Sequence, residues 1–405
     1  MIIYGVNTSH DTSLAIIDDG VVVDVFEEER SRREKYFNFK GEGPHELLLV
    51  HHKGLPTPDE LIFASFDRRQ LSITFDKDLV SYQRPIQDKI LEEFTKEQLT
   101  MERIDTLMEE YPDWGEVNMN FDPAKASEDD GQSLIAQEDF DIMRDVSAQF
   151  EIEDYFYENE HHLYHAESGY TLSPWKDEPC IAIVWDGGGA QCHFEIHPNY
   201  QEIESIYRCE PNTNPKAQWK RYSNHRFLGD LHSQAFGNYM EDCFVCPLDL
   251  ETEIEDVPTV LTSKPSMGMN FSNASSALGC DDMGRAAGKV MGMASYGSTG
   301  VKDGVFNQHT IAQELELQSL EHSCAIIQRA IDLNPDTNKI ILSGGFSLNC
   351  TNNYKYLQRF PNHQIFVDPV PHDGGTAVGA ASILYRNIME GSSESTEEGE
   401  ENVAD

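Results

Sequence analysis

Apolar residues recur with a two-residue period at the start of the chain. IIYGVNT, SLAIIDDG and VVVDVFEEE read as three consecutive strands, with turns at Ser9–Asp11 and Asp18–Gly20. A similar run returns near residue 180, where CIAIVWDGGGA, QCHFEIHPN and EIESIYRCE read as strand, Gly-rich turn, strand, turn, strand. The repetition points to a diverged duplication, each copy opening with a β-meander. Two such halves enclose a cleft, with the turns after each first strand pointing into it. Between the copies the period changes. DKILEEFTKEQLTMERIDTLMEEY and LIAQEDFDIMRDVSAQFEIEDYFY carry apolar residues at helical spacing, and the second leads into the histidine-rich run HHLYHAESGY. Further on, QELELQSLEHSCAIIQRAIDLN predicts an amphipathic helix, NKIILSGGFSLNC a buried strand with a glycine turn, HQIFVDPV a strand, and DGGTAVGAASILYRNIME a small-residue helix.

This pattern predicts a first half over 1–175 with an acidic helical insertion at about 75–160. A second half spans 176–390, with an irregular Asn-, Ser- and Pro-rich insertion at about 210–280. The segment 391–405 is acidic and poor in apolar residues, and is expected to be disordered. No apolar run is long enough to span a bilayer, and the N-terminus lacks a signal-peptide pattern, so a cytoplasmic protein is expected. The formal net charge of −41 disfavours a nucleic-acid polymer as partner, which needs a basic surface. Among eight cysteines only Cys243 and Cys246 form a CxxC, which lacks a second pair to complete a zinc site. These thiols read as structural or incidental.

The candidate chemistry begins at His161 and His165. Two imidazoles at i and i+4 fall on one face of a helix and can share a cation. Asp186 and Asp373, each before glycines at a strand end, offer carboxylates to complete the shell. HExxH spacing is absent, which disfavours a zinc protease. The turns Asp186–Gly187–Gly188–Gly189, Gly344–Gly345 and Asp373–Gly374–Gly375 follow strands, where glycines let a phosphate approach backbone N–H groups. Each turn alone also reads as a tight structural turn, and Asn349 either bonds a ribose or caps its helix. Three such turns in duplicated halves resemble the actin–hexokinase–sugar-kinase superfamily. That resemblance implies an α/β fold of RNase H-like halves around a central nucleotide cleft.

A narrower resemblance follows from GVNTSHDTSLAIIDDG, EEERSRREKY, HHLYHAESGYTLSPW, AGKVMGMASYG, SGGFSLNC and VDPVPHDGGTAVGAA, which occur in this order. The chain resembles the nodulation-type and antibiotic-tailoring O-carbamoyltransferases, whose first domain is similar to the universal tRNA threonylcarbamoyladenosine transferase. The likeness is poor over 75–150 and 210–280. By resemblance, His161, His165, Asp186 and Asp373 are metal ligands, with Fe2+ the implied ion. His10 and Lys35 lie near the reacting carbamoyl group, His10 taking a proton from the acceptor hydroxyl and Lys35 stabilising charge on the carbonyl oxygen. Read without the resemblance, His10 is a turn residue and Lys35 a solvated charge. Lys289, Gly292, Gly344, Gly345 and Asn349 line the adenylate, with Gly187 and Gly188 in the same group of turns. Tyr36 stands where the family has His, and Ser295 where Pro is usual.

The resemblance implies transfer of a carbamoyl group from carbamoyl-AMP, itself made from carbamoyl phosphate and ATP, to a hydroxylated small-molecule or nucleotide acceptor. Family members continue into a domain that makes the adenylate. The chain therefore reads as the transfer half, with a separate adenylate-forming protein as a possible partner. Its stand-alone, acidic form suits a bacteriophage-encoded enzyme acting on hydroxylated nucleotides. Three rival readings are a tRNA threonylcarbamoyl transferase, which needs a basic track for tRNA, an ATP-dependent kinase, in which a His pair is unexpected, and a nucleotide-binding partner without activity.

Overall fold

The computed structural model describes residues 1–39, 45–48, 55–65, 137–157, 160–189, 191–194, 197–223, 249–262, 264–280, 286–297 and 308–401. The predicted helix before residue 136, and Cys243 and Cys246, lie outside these residues.

The first sheet runs in the order β3-β2-β1-β4-β5. Strands β1 (Ile2–Asn7), β2 (Ser13–Asp18) and β3 (Val21–Glu27) form the predicted antiparallel meander. Asp19 and Gly20 both take positive φ, 47° and 76°, as a two-residue hairpin turn requires. A short helix α1 (Glu28–Arg32) follows, and β4 (Glu60–Ser65) and β5 (Phe156–Tyr157) extend the sheet in parallel. Helix α2 (Gln137–Ala148) precedes β5. Side chains alternate across β1. Tyr4 and Val6 join Ile142, Met143 and Val146 of α2, while Ile3 faces the other way onto the C-terminal helix.

The second sheet contains β9-β8-β6-β12-β13, the same order of a meander followed by two parallel strands. The central strand β6 (Cys180–Trp185) is buried on both faces, which explains its continuous apolar run. β7 (Gln191–Phe194) pairs only with the long β8 (His197–Cys209), so the turn predicted between HPN and EIE is instead strand. The third strand of this meander is β9 (Lys216–Ser223). The region 210–280 is therefore not irregular among the described residues. Besides β9 it holds β10 (Leu250–Ile254), β11 (Val257–Thr262) and helix α4 (Met267–Ala277). Its charged strands carry Lys216, Lys220 and Arg221, whose polarity hides the strand period from a reading of hydrophobicity alone.

Helix α3 (His161–Leu172) covers one face of the second sheet, packing Ala166 and Tyr170 against Cys180, Ala182 and Val184. Helices α5 (Ala287–Ala294) and α6 (Gln308–Leu333), with α4, cover the other face against Ile181, Ile183 and Trp185. β12 (Lys339–Ser343), α7 (Cys350–Arg359) and β13 (Gln364–Val367) lead to the C-terminal helix α8 (Thr376–Glu401). α8 runs to Glu401. α8 lies on the first sheet and against α3, so this helix pair joins the halves. At the crossing a Cβ on Gly379 would stand 1.9 Å from the Tyr164 carbonyl oxygen, so only glycine permits the approach. Among the described residues no helix is long and apolar enough to cross a membrane.

Candidate cation site in the cleft

The C-terminal ends of β1, β6 and β12, the turn after β13 and the start of α3 converge. Asp186 leaves β6 directly after Trp185, and Asp373 opens the turn before α8. His161 and His165 lie one helical turn apart on α3. One ligand atom from each of these four residues lies within 4.8 Å of the others, and all four are buried. His161 Nε2 is 3.2 Å from Asp186 Oδ2, 3.6 Å from Asp373 Oδ1 and 3.2 Å from His165 Nε2. His165 Nε2 is 3.8 Å from Asp373 Oδ1.

Two imidazole lone pairs and two carboxylates aimed at one point repel unless a cation lies between them. The spacing fits one. Nitrogens about 2.1 Å from an ion and 3.2 Å from each other subtend roughly 100°, the angle between neighbouring ligands of a transition metal. Burial opposes protonation of His161, but Asp373 and Asp186 outweigh it and hold the imidazole pKa above its usual value. Burial acts on Asp186 in the opposite sense, and the three neighbouring histidines still hold it well below the usual carboxylate range.

Turn chemistry fixes the Asp186 carboxylate. Gly345 N donates to Asp186 Oδ1 at 3.2 Å. Gly344 takes φ +85°, and a Cβ there would stand 2.3 Å from the Trp185 carbonyl oxygen. Glycine at 344 thus lets the β12 turn close onto the end of β6. In the first half, Asn7 builds the turn after β1. Its Nδ2 donates to the carbonyls of His10 and Asp11 at 3.1 and 3.2 Å, and its Oδ1 accepts from Ser9 N at 3.0 Å.

The turn delivers His10 to the cluster. His10 Nε2 is 3.2 Å from Asp373 Oδ2, Nδ1 is 3.1 Å from Asp11 Oδ2, and the side chain is 38% exposed. Lys35 behaves differently. It is exposed, with Nζ 4.6 Å from the Tyr36 ring centroid, and it makes no ion pair with a cluster residue.

The proposed adenylate residues separate into groups. Gly187 adjoins the cluster and the start of α4, where Ser266 Oγ donates to its carbonyl at 2.9 Å, and a Cβ on Gly187 would meet nothing within 4 Å. A Cβ on Gly188 would collide with Gln201. Lys289 and Gly292 are exposed on α5, and Lys289 Nζ donates to the Cys280 carbonyl at 3.1 Å. Asn349 is fully buried. It caps α7 by accepting from Asn352 N and donates to Glu316 Oε2 at 3.0 Å, so its side chain is used as a cap.

Two groups escaped the sequence reading. Asp11 orients His10, and adjacency in SHD was its only signal. His372, next to Asp373, reaches Glu27 Oε1 through Nε2 at 2.7 Å and accepts from Gly374 N at 3.2 Å. The hydrogen bond from His372 lowers the Glu27 pKa to about 2. No sequence pattern links these two residues, which lie far apart in the chain.

Fold and site together define an α/β protein of two sheets, each a meander extended by parallel strands, with a candidate cation site where strand ends converge. Residues 2–318 and 322–382 match the model of the carbamoyltransferase N-terminus, and the chain belongs to that family. Comparison with curated proteins gives no match. Among solved structures, HypF of T. kodakarensis is similar at 10% identity and TM-score 0.48, over 96% of this chain and 48% of that one. Full-length HypF in a phosphate- and nucleotide-bound form is similar at 14% identity and TM-score 0.40, over 62% and 50%. A ROK hexokinase of Thermus thermophilus is similar at 11% identity and TM-score 0.42, over 96% and 100%. The chain spans about half the length of the two HypF chains.

Proposed function

We propose that the chain transfers a carbamoyl group from carbamoyl-AMP to the hydroxyl of a small-molecule or nucleotide acceptor. The observation that carries this reading is the convergence of His161, His165, Asp186 and Asp373, with His10 at the edge, in a chain of the carbamoyltransferase family. Those four residues would hold a divalent transition-metal ion, Fe2+ by the family resemblance, and such an ion would supply Lewis acidity to the transfer.

The chain's own residues position and deprotonate. The turns at Gly187 and Gly344–Gly345 seat the adenylate, with its phosphate toward the cluster. His10 is the general base. Asp11 holds Nδ1–H of its partly exposed ring, which leaves Nε2, beside Asp373, to take the acceptor's proton. The acceptor oxygen attacks the carbamoyl carbon as its proton passes to His10. The bond from that carbon to the phosphate oxygen breaks, and AMP leaves with the electron pair. The net charge of −41 favours small acceptors over tRNA.

The test supplies synthetic carbamoyl-AMP, and separately carbamoyl phosphate with ATP, to the metal-loaded protein with hydroxyl and amine acceptors, and follows carbamoylated product by mass spectrometry. Product on hydroxyls from carbamoyl-AMP is the expected result. Metal and nucleotide binding without transfer from either donor overturns the reading in favour of a binding role.

A further inference from the structure

His165 meets the cation cluster with Nε2 alone. Its other ring nitrogen, Nδ1, is buried without a hydrogen-bond partner. A neutral imidazole that offers Nε2 as a lone pair carries its proton on Nδ1, and a buried N–H needs an acceptor. Ser168 stands three residues further along α3, on the same side of the helix. Its Oγ is also buried without a partner. Next to Ser168 lies Asp368, directly after β13 and 2% exposed. The Asp368 carboxylate accepts from Ser343 Oγ at 2.8 Å and Val370 N at 2.9 Å, one bond to each oxygen, which leaves a lone pair on both. A Cβ on Gly169, the residue after Ser168, would be 3.5 Å from Asp368 Oδ2, which places this carboxylate against α3. Ser168 thus lies against Asp368 without a well-formed bond to it.

Three buried groups therefore adjoin with capacity to spare: an N–H donor, a hydroxyl that both donates and accepts, and a carboxylate with free lone pairs. We propose that Asp368 is a positioning residue for the cation site and acts through Ser168: His165 Nδ1–H donates to Ser168 Oγ, and Ser168 O–H donates to Asp368. Donors and acceptors then balance along the relay. It fixes the Nδ1–H tautomer of His165 and aims the Nε2 lone pair at the point shared with His161 and Asp373. A small rotation of the Ser168 hydroxyl and the imidazole completes both bonds. Outer-shell carboxylates commonly orient metal-bound histidines in this way.

The inference rests on the cation-site reading, and one experiment separates the two. Wild type, Ser168→Ala, Asp368→Asn and the double variant are titrated with Co2+ against a chelator, recording affinity and the visible absorption of the bound ion. Each single variant is expected to lose about 10–100-fold in affinity with a changed absorption envelope, and the double variant no more than the weaker single. Wild-type affinity and spectrum in both single variants, or losses that multiply in the double, overturn the relay and leave the cation site standing. Failure of the wild type to bind Co2+ overturns the cation site itself. If Asp368→Asn does not fold, Ser168→Ala alone decides by the same affinity and spectrum.

Discussion

Two clusters of titratable groups meet on and around the second half, and they differ in how their charges are met. In the cleft, Asp186 and Asp373 face two imidazole nitrogens that also face each other. Across β8 and β9, Glu204 accepts from Arg221 Nη1 at 3.2 Å and lies 2.7 Å from His322 Nε2, and Arg221 also reaches Asp249. Glu204 brings its own cation. An arginine is charged at every working pH, so Glu204 meets a fixed positive charge supplied by the chain. The cleft cluster holds carboxylates and neutral nitrogen donors whose charges are balanced only by an added proton or an ion. Burial alone does not separate a site from scaffolding, because Glu204 and Arg221 are as buried as the four residues of the cation cluster. The separating feature is whether the chain supplies its own fixed positive charge.

The strongest way to break this comparison is to remove the imidazoles. His161→Ala with His165→Ala is expected to reduce bound metal from stoichiometric to background by elemental analysis, and unchanged metal content would erase the distinction. His10→Gln is expected to slow carbamoyl transfer about 10²–10⁴-fold while metal content holds, measured as single-turnover product formation. Arg221→Met addresses the other cluster. It removes the arginine charge beside the buried Glu204 carboxylate, leaving His322, and is expected to cost up to about 3 kcal/mol in urea unfolding, with metal content unaffected.

Acid titration sharpens the same point. Burial opposes ionisation of Glu204, but His322 and Arg221 lower its pKa from 4.5 to about 2. A carboxylate depressed in the folded state stabilises above its unfolded pKa. That contribution, on the order of 3 kcal/mol, is present above about pH 4.5 and is lost as pH falls toward 2. Glu204→Gln should flatten the stability profile across that window, and an unchanged slope there would remove the network from the account. The smallest effect is expected at the turn supporting Asp186. Gly344→Ala forces a side chain into φ +85°, and about 1–3 kcal/mol should be lost in thermal unfolding. Full stability in that variant would mean that the turn relaxes freely.

Much of the fold was legible where physics is local. The β1–β3 meander, with its Asp19–Gly20 turn, follows from period-two alternation and one turn signal. Long apolar periods gave α6, and small residues gave the start of α8. β9 was not legible, because Lys216, Lys220 and Arg221 interrupt its pattern, and the carboxylates that meet Lys220 and Arg221 include Glu202 and Glu204 on the neighbouring β8. In the site, the spacing of His161 and His165 was readable because a helix sets it. Lys35 was singled out by its motif, but the turn after α1 leaves it exposed over Tyr36. Asn349 was readable in both of its roles, and its Oδ1, accepting from Asn352 N, caps α7.

The sequence by itself determined which residues bring chemistry: a helical pair of imidazoles, acidic residues before glycines, and a duplicated meander to carry them. These follow from backbone periodicity and turn preference, which act over a few residues. Only the tertiary structure decided that Asp186 and Asp373, far apart in the chain, meet the imidazoles within 4.8 Å, and that His10 joins them. The reason is that strand order and the α3–α8 crossing at Gly379 bring distant strand ends together, and no local preference encodes those distances.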